Sequence, residues 1–226
     1  MSEPAYEPVE RRPISSREVA VFQRFAGWMV RCGVSPNGIS VSSMIFAAVA
    51  GAALAFTSLA EGPALRLLWL AAALGMQLRL LANLFDGMVA IESGRASPVG
   101  ELYNEVPDRV SDTAIFIGAG YAVGSCLTLG YLAAVAAMFV AYVRALGVTA
   151  GARQHFTGPM AKPQRMFVMT AAAVYCGLAP LGWQPVHQAT GWSVMAAMLS
   201  LVVAGCVVTA IARLLGIARE IRESKP

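Results

Sequence analysis

Charge is scarce in this chain. Only 13% of its 226 residues are Asp, Glu, Lys or Arg, where soluble domains carry about 25%. With 57% hydrophobic residues, it is too apolar for a soluble fold of this length, and composition points to a polytopic membrane protein. Histidine is nearly missing, at two residues, and the four cysteines (Cys32, Cys126, Cys176 and Cys206) lie far apart with no Cys-x-x-Cys pair. That pattern argues against a zinc site and a disulfide framework and assigns the thiols to packing. No internal repeat or low-complexity segment stands out, so one membrane domain is expected. The N-terminus begins polar and reaches a long apolar run only near Ile39, which is not the pattern of a cleavable signal peptide. No nucleic-acid partner is expected.

What the chain has instead is apolar length. A membrane span needs about 20 apolar residues, and six stretches qualify: 39–57, 65–91, 109–128, 130–150, 166–183 and 192–215. The expected fold is all-α. A cytoplasmic segment, 1–38, precedes a six-helix transmembrane catalytic domain, 39–217, and a cytoplasmic tail, 218–226. Basic residues orient it. In a six-span arrangement every Lys and Arg except Arg66 falls on one side, 16 of 17. That side is therefore cytoplasmic and holds both termini, as in a bacterial-type inner membrane. Residues 16–33 mix apolar and basic residues at helical spacing. They read as an amphipathic helix with Val21, Phe22, Phe25, Trp28 and Met29 in the headgroup layer and Arg17, Arg24 and Arg31 facing phosphates. Gly33 and Pro36-Asn37 stop that helix before the first span.

Against this background the polar residues between 83 and 112 stand out, because an ionisable group at bilayer depth is costly unless it has a use. Asn83 and Asp86 are three apart; Asn104, Asp108 and Asp112 are four apart in succession. Both spacings put side chains on one helical face. Gly87 and Ala90 share the Asn83 face and leave a groove where a phosphorylated ligand can approach backbone. On the following helix Glu101, Asn104, Glu105, Asp108 and Asp112 fall within about 100° of arc. Oxygen-rich surroundings with no sulfur and almost no imidazole suit Mg²⁺, Mn²⁺ or Ca²⁺. Such ions clamp a pyrophosphate and stabilise attack on phosphorus.

The stretch resembles the signature of the CDP-alcohol phosphotransferases, Asp-x2-Asp-Gly-x2-Ala-Arg-x8-Gly-x3-Asp-x3-Asp. This chain matches at Asp86, Gly87, Ala90, Gly100 and Asp108 with every spacing kept. Residues 35–42, Ser-Pro-Asn-Gly-Ile-Ser-Val-Ser, are similar to the family's Pro-Asn approach to its first span. The resemblance implies transfer of a phosphatidyl group from CDP-diacylglycerol, or a similar CDP-alcohol, to a small hydroxyl acceptor with release of CMP. It implies Mg²⁺ or Mn²⁺ held by Asn83, Asp86, Asn104 and Asp108. Gly87, Ala90 and Gly100 would accommodate the cytidine nucleotide, with Asn83 beside them. Asp108 would be the general base, with Asp112 as the alternative. Relatives tend to pair, so a homodimer is expected, and the small residues of Gly118–Gly124 permit close helix packing.

Three positions depart from the signature: Asn83, Asn104 and Ile91 stand where the family has Asp, Asp and Arg. Asparagine offers a metal its carbonyl oxygen but no charge. Glu105 or Asp112 is expected to restore the charge, and Arg95 to replace the arginine. A divergent working form, one metal rather than two, and a weakened enzyme remain open. Arg144, Arg153, Lys162 and Arg165 gather around the fourth loop. They are expected to hold an acceptor phosphate, since guanidinium grips phosphate well. A phosphorylated polyol such as glycerol phosphate or inositol phosphate follows. His155 and His187 read as polar loop residues. The alternatives are a catalytically weak nucleotide-binding relative and a cation-binding transporter. Transporters place their sites near the midplane, often in repeated halves, whereas these acids lie near one surface.

Overall fold

The computed structural model describes residues 19–94 and 98–223, the side chains of 98–101 excepted. Among the described residues every regular element is helical: α1 (Ala20–Arg31), α2 (Pro36–Phe56), α3 (Gly62–Glu92), α4 (Pro98–Gly120), α5 (Leu127–Thr149), α6 (Lys162–Leu178) and α7 (Val194–Glu223), with single 3₁₀ turns after α2 and α6. Local sequence sets the first boundary. Gly33 takes φ 73°, the left-handed end of a helix that residues with a Cβ avoid. Ser35 then caps α2 by accepting from the Gly38 N–H at 3.1 Å, and Pro36 occupies the first helical position, where its missing N–H costs nothing.

Among the described residues four helices are long and apolar enough to cross a membrane: α2 with the turn that follows it, α3, α5 and α7. α6 has only 17 residues, about 25 Å of rise against a hydrocarbon core of about 30 Å. α4 carries Glu105, Asp108, Arg109 and Asp112 in its first fifteen residues. The expected third span, 109–128, is displaced. α4 starts at Pro98 and ends at Gly120, because the polar face continues the same helix backwards while the glycines at 120 and 124 end it; Gly124 has φ 64°.

The main helix contacts run in a cycle: α2 packs on α3, α3 on α6, α6 on α7, α7 on α5, α5 on α4, and α4 back on α2. α3 and α4 scarcely touch through their backbones, so their side chains meet inside the ring. Successive helices alternate in direction. The start of α2, the end of α3, the starts of α4 and α6, and the ends of α5 and α7 therefore share one end of the bundle. Packing elsewhere relies on small residues. A Cβ added to Gly118 would strike the Gly51 backbone, and one added to Gly51 the Ala114 carbonyl. The small-residue run expected to serve close packing is thus used inside the chain, between α2 and α4. α1 lies against α3, its Phe22 and Phe25 rings 5.8 and 4.9 Å from that of Phe85. Val21, Phe25 and Trp28 remain exposed.

Candidate active site

The shared end of the ring holds a buried ionic network. Asp86 and Arg79 on α3, Asp108 and Asp112 on α4, and Arg165 on α6 are all at most 5% exposed. Charges this deep persist only when paired, and the pairing is specific. Asp112 sits between two guanidinium groups: Arg79 Nη2 donates to its Oδ1 at 2.7 Å and Arg165 Nη2 to its Oδ2 at 2.7 Å. Arg165 also donates to the Met160 carbonyl at 3.0 Å, which ties the loop before α6 to the network.

One turn earlier on α4, Asp108 collects donors from two other helices, α3 and α6. Lys162 Nζ lies 2.5 Å from both of its carboxylate oxygens. Asn83 Nδ2 donates to Oδ1 at 2.6 Å, and Arg79 Nη2 reaches the same oxygen at 3.4 Å. Oδ2 is less crowded, with Lys162 and a distant Arg109 at 3.8 Å. Asp86, one turn from Asn83, turns toward α2, where Ser40 Oγ donates to its Oδ2 at 2.7 Å. Its Oδ1 is buried and has no hydrogen-bond partner. A buried carboxylate oxygen left this way is costly and suits a cation ligand.

The sequence-expected residues separate into groups. Asn83, Asp86, Asp108 and Asp112 come together. Gly87 and Ala90 are half-buried on the Asn83 side of α3. Asn104 is exposed, a turn outward from Asp108. Glu105 does not restore charge at the buried acids. It pairs with Arg144 at 2.5 Å and with Arg109 at 3.3 Å. Gly100 lies in the first turn of α4, and Arg95 lies outside the described residues.

The four basic residues do not form one cluster. Arg165 faces Asp112 and Lys162 faces Asp108. Arg144 bridges Glu105 and Gln154 and lies over the Phe156 ring. The Arg153 backbone N–H bonds Glu220, which also meets His155 at 2.7 Å. Both oxygens of Asp112 are engaged by guanidinium groups, those of Arg79 and Arg165. Sequence reasoning used Arg79 only for orientation and passed over Ser40. Arg79 carried a usable signal, as an arginine within an apolar helix one turn before Asn83. Ser40 gave none, because serine is common in membrane helices.

The residues present fit a divalent ion only in part. Among the described residues no three His, Cys, Asp or Glu side chains group as ligands. The available donors are the Asp86 carboxylate, with its unpartnered Oδ1, and any oxygen of Asp108 that Lys162 leaves accessible.

No family model matches the chain. It is 28% identical over 217 residues to a phosphatidylinositol phosphate synthase of Streptomyces avermitilis, covering 90% of this chain and 80% of that protein. It is 25% identical to the enzyme of the same name from Mycobacteroides abscessus, covering 73% of this chain and 72% of that one. An inner membrane protein of Escherichia coli is 24% identical over 66% of this chain and 73% of that protein. Its fold is similar to crystal structures of Mycobacterium tuberculosis phosphatidylinositol phosphate synthase. The form with CDP-DAG bound gives a TM-score of 0.68 at 20% identity, covering 87% of this chain and 93% of that one. The form with manganese and citrate gives 0.70 at 18% identity, over 87% and 88%.

Proposed function

We propose that the chain is a CDP-alcohol phosphotransferase that moves a phosphatidyl group from CDP-diacylglycerol to the hydroxyl of a phosphorylated polyol, releasing CMP. The observation that carries this reading is the meeting of Asn83 and Asp86 on α3 with Asp108 on α4, at the shared end of the ring, in the spacing of the family signature. Streptomyces and mycobacterial relatives named for phosphatidylinositol phosphate synthesis favour inositol phosphate among the acceptors.

The step balances without covalent work by the protein. The acceptor oxygen bonds to the phosphorus next to the lipid, the bond from that phosphorus to the bridging pyrophosphate oxygen breaks, and CMP leaves with the electron pair. Positioning and charge neutralisation are the requirements. A Mg²⁺ or Mn²⁺ ion, when bound, neutralises the pyrophosphate. Asp86 and Asn83 are the residues to hold it, with Asp108 and Asn104 completing the motif. Gly87, Ala90 and Gly100 leave room for the nucleotide. Asp108 Oδ2 takes the proton of the acceptor hydroxyl, since Oδ1 accepts from three groups and Oδ2 from Lys162 alone. Arg144 and Arg153 read the acceptor phosphate.

Six crossings by α2–α7, with α1 in the headgroup layer, complete the reading. The catalytic end and both termini face the cytoplasm of a bacterial-type inner membrane, on the side that gathers 16 of the 17 basic residues. The working form is a homodimer. Purified protein in lipid, given CDP-diacylglycerol, Mn²⁺ or Mg²⁺ and a pool of acceptors, is expected to release CMP and form a new phospholipid detectable by mass spectrometry. Absence of CMP with every acceptor and either metal overturns the reading. It leaves a nucleotide-binding relative of weak activity, a role favoured by the crowding of donors on Asp108.

A further inference from the structure

We infer that Lys162 is a resident cation at this site, standing where a second divalent ion would otherwise neutralise Asp108, and that the chain binds one divalent ion, at Asp86. The inference rests on the transferase reading and concerns how that site is charged.

Count the buried charges first. The buried carboxylates of Asp86, Asp108 and Asp112 face the buried Arg79 and Arg165 and the partly exposed Lys162, while Arg109 beside Asp108 is shared with Glu105, so the network is close to neutral before any metal arrives. A nucleotide pyrophosphate diester brings two negative charges, which one divalent ion balances. Two ions would leave two positive charges uncompensated in a low-dielectric pocket, an expensive arrangement. The two asparagines fit this count: Asn83 and Asn104 remove two negative charges from the family pattern, the charge of one divalent ion.

Geometry agrees with the count. Both oxygens of Asp108 lie 2.5 Å from one ammonium, so an ion entering there must displace Lys162. Asn83 commits its amide nitrogen to Asp108 at 2.6 Å, so it offers an ion only its uncharged carbonyl oxygen. Both oxygens of Asp112 are held by arginines. Of the six carboxylate oxygens in the network, only Asp86 Oδ1 is buried with no hydrogen-bond partner. One ligand position is open for a metal, and Lys162 fills the place of the other.

The test counts metal on the unreacted protein. Wild-type protein in lipid nanodiscs with CMP is loaded with Mn²⁺, freed of excess, and read by elemental analysis and electron paramagnetic resonance. One Mn²⁺ per chain with an uncoupled six-line spectrum is expected, and Asp86→Asn should lose it. Two ions per chain with an exchange-coupled spectrum, no bound ion, or retention of the ion in folded Asp86→Asn each overturn the inference. The triple variant Lys162→Met, Asn83→Asp, Asn104→Asp should take up a second, coupled ion; a folded variant that still binds one also overturns it. If that variant does not fold, the wild-type count decides. CMP release is measured separately: two ions with CMP released sinks the inference alone, and one ion without CMP release sinks the transferase reading alone.

Discussion

Asn83 on α3 donates its side-chain amide to Asp108 on α4 across 2.6 Å and, beside the Arg79–Asp112 ion pair, joins two helices whose backbones scarcely approach. A carboxylate at position 83 cannot do this. It would set two negative charges side by side and leave the pair dependent on a cation. The asparagine is therefore a structural donor as well as a departure from the family signature.

Asn83→Asp should make folding depend on metal. Losing a hydrogen bond to a charged group costs about 1.5–3 kcal/mol, and 1 kcal/mol shifts melting by roughly 2–4 °C in a chain of this size. Melting in EDTA should fall by about 5 °C or more and recover with Mn²⁺, while wild type changes less. Equal melting of the two proteins in EDTA would mean that the amide contributes no link between the helices.

Asp112 gives the largest effect on stability. Removing one partner of a buried ion pair costs about 3–5 kcal/mol because the other charge stays buried, and here two guanidinium groups would be stranded. Asp112→Leu should give little folded protein. Adding Arg79→Met and Arg165→Met should recover part of the folded yield, so the three effects should fall well short of additive. Size-exclusion yield and thermal melting of the set measure this. Additive losses would show that the arginines do not depend on Asp112.

Much of this arrangement is legible in the sequence, for physical reasons that differ from residue to residue. The motif spacing places Asn83 beside Asp86 and Asp108 beside Asp112, because helical periodicity alone fixes a shared face. Alternation of apolar runs puts the chemistry-bearing helix ends together. Partner choice across helices is not local, and there the reading departed from the structure. Lys162 and Arg165 look like members of one basic loop cluster, yet α6 begins at Lys162 and turns both inward onto α4. Glu105 lies three residues before Asp108, but its longer side chain finds Arg144 and Arg109 at the rim. The third span was misplaced because apolarity was counted and the polar first turns of α4 were not. Residues such as Ser40 become visible only when the register of α2 against α3 is known.

Asp86 should separate activity from stability. Its Oδ1 is buried without a partner, so the folded state bears a cost that the alanine variant removes. Asp86→Ala should melt at or above the wild-type temperature while losing CMP release. Ser40→Ala removes the 2.7 Å hydrogen bond to Oδ2. It should lower kcat/KM roughly 10–100-fold, as expected for a bond to a charged group of about 1.5–3 kcal/mol. Turnover intact in Asp86→Ala would end the assignment of this carboxylate to the reaction.

Arg144 tests the acceptor. Its guanidinium is anchored by Glu105 at 2.5 Å and Gln154 at 3.2 Å, and its side chain is 19% exposed. It is thus held in place at the rim, one turn of α4 outward from Asp108 through Glu105. A guanidinium fixed there can receive a phosphate without ordering a flexible chain, which is where affinity is usually lost. Glu105 is half exposed, so the pair itself contributes at most about 1 kcal/mol to stability, and Arg144→Met should fold. It should raise KM for the phosphorylated acceptor tenfold or more with kcat less affected, because a contact remote from the reacting atoms is felt mainly in binding. KM for CDP-diacylglycerol should hold, and the relative rate with the unphosphorylated polyol should rise. Arg144→Lys should recover only part of the loss, since an ammonium cannot form the two parallel bonds of a guanidinium. Initial rates with each polyol, with and without its phosphate, decide the matter. Unchanged acceptor KM in Arg144→Met would leave Arg144 as a strut for Glu105 and move phosphate recognition to Arg153.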